Sequence, residues 1–86
     1  MQPTPSDIDP NVLRDWMINY ICGVLGLSRD KFSTKDRFDV YGLDSVEAVI
    51  MAGVMEEEFQ VLVDPHLFFD APSVDEFVTM FTAPGA

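Results

Sequence analysis

Three stretches of this chain repeat their apolar residues at three- and four-residue intervals, and each opens on a residue type that caps a helix. The first begins at Asp9-Pro10, an aspartate cap followed by proline at the first helical position. It continues through Leu13, Trp16, Met17, Tyr20, Ile21 and Val24, and stops at Gly26. The second begins at Asp44-Ser45, with Glu47 three residues after Asp44. Its spacing predicts a helix over Ser45–Phe59 with a buried stripe of Val49, Ala52, Met55 and Phe59, and Met51 beside it. The third is Ser73-Val74-Asp75-Glu76, a capping box that leads into Val74, Phe77, Val78 and Phe81 on one face. A short helical piece, His66 to Phe69, is opened by Asp64-Pro65 and ended by Asp70-Ala71-Pro72. No strand alternation persists beyond Val61-Leu62-Val63, and there is no internal repeat. The pattern predicts an all-α fold: a small antiparallel four-helix bundle of three main helices and one short one, with a long loop between helices one and two.

Eighty-six residues make one domain with one small core, burying about 60–65% of the unfolded surface. Residues 1–8 read as a flexible arm, 9–82 as the domain and 83–86 as a loose tail. The irregular stretch from Ser28 to Leu43 is long for so small a domain. Phe32, Phe38, Val40 and Tyr41 are expected to pin it to the core, and Gly42 supplies a turn before the second helix. Gly53 weakens that helix by about 1 kcal/mol relative to alanine, which points to a packing reason such as a close helix approach. Cys22 is the only cysteine and reads as a buried, inert thiol, so neither an internal disulfide nor a cysteine metal site is available.

Charge is distributed unevenly. Residues 1–37 hold five acids and five bases, whereas residues 38–86 hold ten acids and no base, which accounts for the net charge of −10. Such a surface repels nucleic acid and anionic lipid and attracts basic protein patches. Met1 to Pro10 lacks the basic group and apolar run of a secretory signal. No apolar run approaches the roughly 20 residues that span a membrane. A soluble, cytoplasmic, monomeric protein is expected.

Ser45 is the candidate functional residue. With Asp44 capping backbone N–H groups, Ser45 falls in the first turn with its hydroxyl outward, where N–H groups and the helix dipole favour an anion. A serine hydrolase would need a G-x-S-x-G elbow with a histidine and an acid. Asp44 precedes Ser45, no strand leads to it, and His66, the only histidine, reads as a surface residue. An EF-hand over Asp36–Glu47 fails, because Phe38 and Val40 stand where ligands belong and Tyr41 replaces the glycine. No metal site and no catalytic residue emerge. Helix starts commonly carry serine for capping alone, but capping by Asp44 and attachment at Ser45 are compatible.

Gly42-Leu43-Asp44-Ser45-Val46 resembles the G-x-D-S-[LV] motif of acyl carrier proteins. Glu56-Glu57-Glu58-Phe59 resembles that family's Glu-Glu-x-Phe close of helix two, and Leu67-Phe68-Phe69-Asp70-Ala71-Pro72-Ser73 resembles a segment frequent in polyketide-synthase carriers. The likeness extends from Val12 to Phe81. It implies that Ser45 carries 4′-phosphopantetheine, transferred from coenzyme A by a phosphopantetheinyl transferase, and that acyl groups ride on the terminal thiol as thioesters. The carrier would catalyse nothing itself. It would present its load to an acyl-loading enzyme, a ketosynthase or other pathway enzymes, at raised effective concentration. Carried onto this chain, the docking surface is Asp44, Val46, Glu47, Ile50, Glu56 and Glu57.

Fatty-acid carriers usually have Glu five residues after the modified serine, where this chain has Ile50. The upper interface is therefore expected to be more apolar and less steered by salt. Leu43-Asp44 favours an acyl over an aminoacyl load. The expectation is a polyketide or hybrid secondary-metabolite pathway rather than general fatty-acid biosynthesis. Met51, Met55 and the phenylalanines are expected to pack as core rather than part for an acyl chain. The Met1 start and short tails favour a free-standing protein. The alternative is an unmodified carrier-like helical module that only docks.

Overall fold

The computed structural model describes residues 3–83. Four α-helices follow in order: α1 (Pro10–Leu25), α2 (Ser45–Phe59), α3 (Leu67–Asp70) and α4 (Val74–Phe81). Single 3-10 turns occupy Pro5–Asp7, Arg29–Lys31 and Phe38–Tyr41. Among the described residues there is no strand, only an isolated antiparallel bridge between Arg37 and Ser73.

The helix ends follow their caps. The Asp9 side chain accepts from the Asn11 N–H at 2.9 Å, and Pro10 occupies the first turn of α1. Gly26 closes that helix in the left-handed region, at φ 65°, its N–H bonded to the Cys22 carbonyl. Ser73, almost wholly buried, accepts from the Glu76 N–H at 3.2 Å and starts α4. Residues 5–7 lie in the stretch expected to be a loose arm. They form a turn in which Asp7 accepts from the Thr4 N–H at 3.0 Å, and Ile8 packs against the core. Residues 84–86 of the expected tail lie outside the described residues, as do residues 1 and 2.

One core joins all four helices. It contains Leu13, Met17, Ile21 and Cys22 of α1, Ala48, Met51, Ala52 and Met55 of α2, Phe68 of α3, and Val74, Phe77, Val78 and Phe81 of α4. Three expectations need correction. Val24 is exposed, because it lies on the wall of an open cleft with Tyr20 and Ile21 rather than under a covering element. Val49 is exposed too: the buried stripe of α2 is Ala48, Met51, Ala52 and Met55, rotated by one residue, with Phe59 at its edge. Val40 faces solvent, and the loop is pinned instead by Phe32, Phe38 and Tyr41. Val61 and Val63 are buried while Leu62 is exposed, so the period-two signal there comes from an extended link, not a strand.

Phenylalanines knit the far side of the bundle. Phe68 stacks on Phe77 with centroids 4.4 Å apart, Phe77 stacks on Phe81 at 5.2 Å, and Phe38 meets Phe68 edge-on at 5.8 Å. This row couples the long loop to α3 and α4. Two backbone bonds reinforce it: Phe38 N–H to the Pro72 carbonyl at 2.7 Å, and Asp75 N–H to the Thr34 carbonyl at 3.1 Å.

Candidate functional site

The start of α2 is set by the turn before it. Phe38 is buried and holds the 38–41 turn against the core. Gly42 then takes φ 80°, a conformation that disfavours a side chain, and donates to the Asp39 carbonyl at 3.1 Å. The Leu43 N–H returns to the Phe38 carbonyl at 3.2 Å. Upstream, the Tyr41 hydroxyl donates to Asp36 at 2.8 Å and accepts from the Ser33 N–H at 2.9 Å. The segment leading to residue 44 is therefore ordered although it carries almost no regular structure.

Asp44 is extended, and its carboxylate accepts from the Glu47 N–H at 3.0 Å while its carbonyl accepts from the Ala48 N–H at 3.0 Å. Ser45 is exposed at the first position of α2. The backbone N–H groups of the first turn have no intrahelical partner, and only that of Glu47 is taken by the cap. The helix dipole adds partial positive charge at the same place. An exposed hydroxyl in that setting suits a phosphodiester: the group has room, and the backbone offers donors to its oxygens.

Beside Ser45 lies a cleft of about 250 Å³ bounded by α1, the start of α2, α3 and the loop. Leu43 and Asp44 form its near edge, and Tyr20, Met51, Phe68 and Phe69 are among its other walls. The Tyr20 phenol is pushed above its ordinary value, by partial burial and then by the nearby Glu47 carboxylate. Met55 is fully buried in the core and does not line the cleft, whereas Met51 serves both. The cleft was not legible in the sequence, since its walls come from segments up to about fifty residues apart that meet only after folding.

The other residues expected at a docking surface divide. Val46, Ile50 and Glu57 are exposed on α2. Glu47 is half-buried beside Tyr20. Glu56 is half-buried, and its carboxylate accepts from the Val63 N–H at 2.8 Å, tying the α2–α3 link to the end of α2. That role had no local sequence signal, because it joins residues seven apart across a reversal of the chain. His66 lies with its ring 6.4 Å from that of Phe69. Among the described residues, no group of acidic, histidine or cysteine side chains is arranged to hold a metal.

Comparison with known proteins bears on this geometry. The model of the phosphopantetheine attachment site family matches residues 15–81. Polyketide synthase PksL of Bacillus subtilis (strain 168) is 25% identical over 63 residues, which is 73% of this chain and 1% of that protein's length. The solution structure of acyl carrier protein LipD from Actinoplanes friuliensis superposes with a TM-score of 0.72 at 32% identity, covering 96% of this chain and 92% of that one. A free-standing peptidyl carrier protein of an uncharacterized Acinetobacter baumannii secondary metabolic pathway gives a TM-score of 0.76 at 19% identity, over 84% and 90% of the two chains. That second likeness concerns the fold alone. No helix among the described residues is long and apolar enough to cross a membrane.

Proposed function

The chain belongs to the phosphopantetheine attachment site family of carrier proteins, and from that premise we propose that Ser45 is the attachment residue and that residues 9–82 act as an acyl carrier domain. The observation that carries the proposal is Ser45 itself: exposed, first in α2, and preceded by an aspartate that caps the helix without covering the hydroxyl. Ser45 Oγ would form the phosphodiester link, with the free N–H groups of the first turn beside it. Phosphopantetheine supplies a flexible arm ending in a thiol, on which an acyl group is held as a thioester. The work of this chain's own residues is to hold and present that arm. The loop from Phe38 to Leu43 keeps Ser45 at a constant place relative to the core, and the exposed residues of α2 offer a surface to the enzymes that must reach it.

The similarity to PksL and the Leu67–Ser73 segment favour service in polyketide or hybrid secondary-metabolite biosynthesis. Partners on this reading are a phosphopantetheinyl transferase, an acyl-loading enzyme and a ketosynthase or similar enzyme with basic docking patches. Asp44, Val46, Glu47, Ile50 and Glu57 form the contact surface, and Glu56 supports it through Val63. The domain has no chemistry of its own to perform. Its role requires only that it be held and released.

The test is intact mass before and after incubation with coenzyme A and a broad-specificity phosphopantetheinyl transferase, alongside Ser45→Ala. The expected result is a gain of one phosphopantetheine that is absent from the variant. A folded protein that gains nothing from an active transferase refutes the proposal and leaves a docking-only module.

A further inference from the structure

The outer face of α2 is left uncovered, with Val46, Val49, Ile50 and Val54 exposed. A Cβ added at Gly53 would meet nothing within 4 Å, so the close helix approach expected there does not occur within the chain. The mouth of the cleft holds a different feature, one cation among three acids. Asp39, Asp44 and Glu47 border the cleft, and Arg37 is the one basic residue among its described walls. It is also the last base of the sequence. Arg14 is engaged by Asp75 and Asn11, and Arg29 by Asp15 and Asn19.

The turn before α2 brings Arg37 round to the attachment point. The Leu43 N–H donates to the Phe38 carbonyl at 3.2 Å, so residues 38 and 43 meet across the turn and residues 37 and 44 flank that junction. The backbone at Arg37 is fixed from the other side as well. It bridges Ser73, and the next N–H, that of Phe38, donates to the Pro72 carbonyl at 2.7 Å. Its side chain, by contrast, is loosely held. The guanidinium donates to Asp39 through three bonds of 3.3 Å each, longer than the roughly 2.7–2.9 Å of a well-formed charge-assisted bond. The two side chains are 64% and 65% exposed, and an ion pair so exposed contributes little.

A phosphodiester on Ser45 adds a negative charge beside Asp44 and Glu47. Backbone N–H groups of the first turn answer part of it, but no base follows residue 37 to answer the rest. A guanidinium can bind two phosphate oxygens at once through its planar fork, a better-formed contact than the one Arg37 makes to Asp39. Resting on the assignment of Ser45 as the attachment residue, we infer that Arg37 is a positioning residue for the arm: on modification its guanidinium leaves Asp39 and pairs with the phosphodiester. That pair ties the loop to the root of the arm, and it frees the Asp39 carboxylate. Modified and unmodified protein then present different charges at the cleft mouth.

The experiment compares the unmodified full chain with the same chain carrying phosphopantetheine, each as parent, Arg37→Gln and Asp39→Asn. Mass spectrometry verifies the modification. The first readout is the NMR signal of the Arg37 Nε–H group, assigned by its loss in Arg37→Gln. In the parent it is expected to shift on modification at about 0.02 M salt and to return toward its unmodified position at about 0.5 M, where screening is far stronger. Unmodified parent with coenzyme A and no transferase is the reference for unattached phosphate, and there the signal is expected to stay. The second readout is Tm. Modification is expected to raise it by about 1–5 °C more in the parent than in Arg37→Gln at low salt, and Asp39→Asn is expected to keep that rise. An Arg37 that merely braces the turn through Asp39 would change both forms equally. An Arg37 signal unmoved by modification, one moved as far by free coenzyme A, or a rise in Tm equal in parent and Arg37→Gln overturns the inference and leaves the carrier reading standing. A parent that an active transferase never modifies overturns both.

Discussion

Glu56→Ala separates two roles that the sequence alone merged. Among the three consecutive acids at the end of α2, Glu56 alone is half-buried with a partner: its carboxylate accepts the Val63 N–H at 2.8 Å. Val63 is 5% exposed, so its N–H has little access to water once the carboxylate is gone. A hydrogen bond to a charged acceptor contributes about 1.5–3 kcal/mol, and partial exposure of Glu56 argues for the lower part, about 2 kcal/mol. Removing an acid from the last turn of α2 relieves an adverse dipole interaction worth about 0.5 kcal/mol. The net loss is about 1.5 kcal/mol, which for a domain of this size lowers Tm by about 6–12 °C. Glu57→Ala and Glu58→Ala, both exposed, should fall within about 0.5 kcal/mol of the parent. The assay is thermal and urea denaturation followed by far-UV circular dichroism for all three variants. If Glu56→Ala is no less stable than the other two, the link from α2 to Val63 does not hold the fold and Glu56 is simply a third surface acid.

Asp44→Ala removes the cap on the Glu47 N–H and should cost about 1 kcal/mol, read as a lower urea midpoint with unchanged slope. Ser45→Ala, at an exposed first-turn position that caps nothing, should leave the midpoint within about 0.5 kcal/mol of the parent. Equal losses in the two variants would show that Ser45, and not Asp44, organises the helix start. At alkaline pH, Tyr20 provides a second check. Its folded pKa lies above the unfolded value near 10, so its contribution to stability is fully present below that pH and is lost as pH rises through the folded value. Tyr20→Phe should therefore lose less stability than the parent on going to higher pH. An identical alkaline decline in both proteins would place the responsible group elsewhere.

The helices, their order and their ends were legible because capping is a local matter. Asp9-Pro10, Asp44 with Glu47, and Ser73 with Glu76 each act within three residues, and the structure places a helix start at each. The last helix was also readable by face, since Val74, Phe77, Val78 and Phe81 are its only large apolar residues apart from Met80. α2 resisted such reading for a physical reason. Apolar side chains cover both its faces, so periodicity identifies a helix but not which side is inward. Burial in the shared core decided that Ala48 and Met51 face in and Val49 faces out.

What the sequence by itself determined, then, is an all-α chain and one serine presented at a helix start, because both rest on interactions a few residues in range. Tertiary structure alone decided the rest. The cleft beside Ser45, the withdrawal of Glu56 to the Val63 N–H and the uncovered outer face of α2 all depend on segments far apart in the chain coming together. Burial is a property of the assembled bundle, and no local pattern specifies which of two equally apolar faces will be left to the solvent.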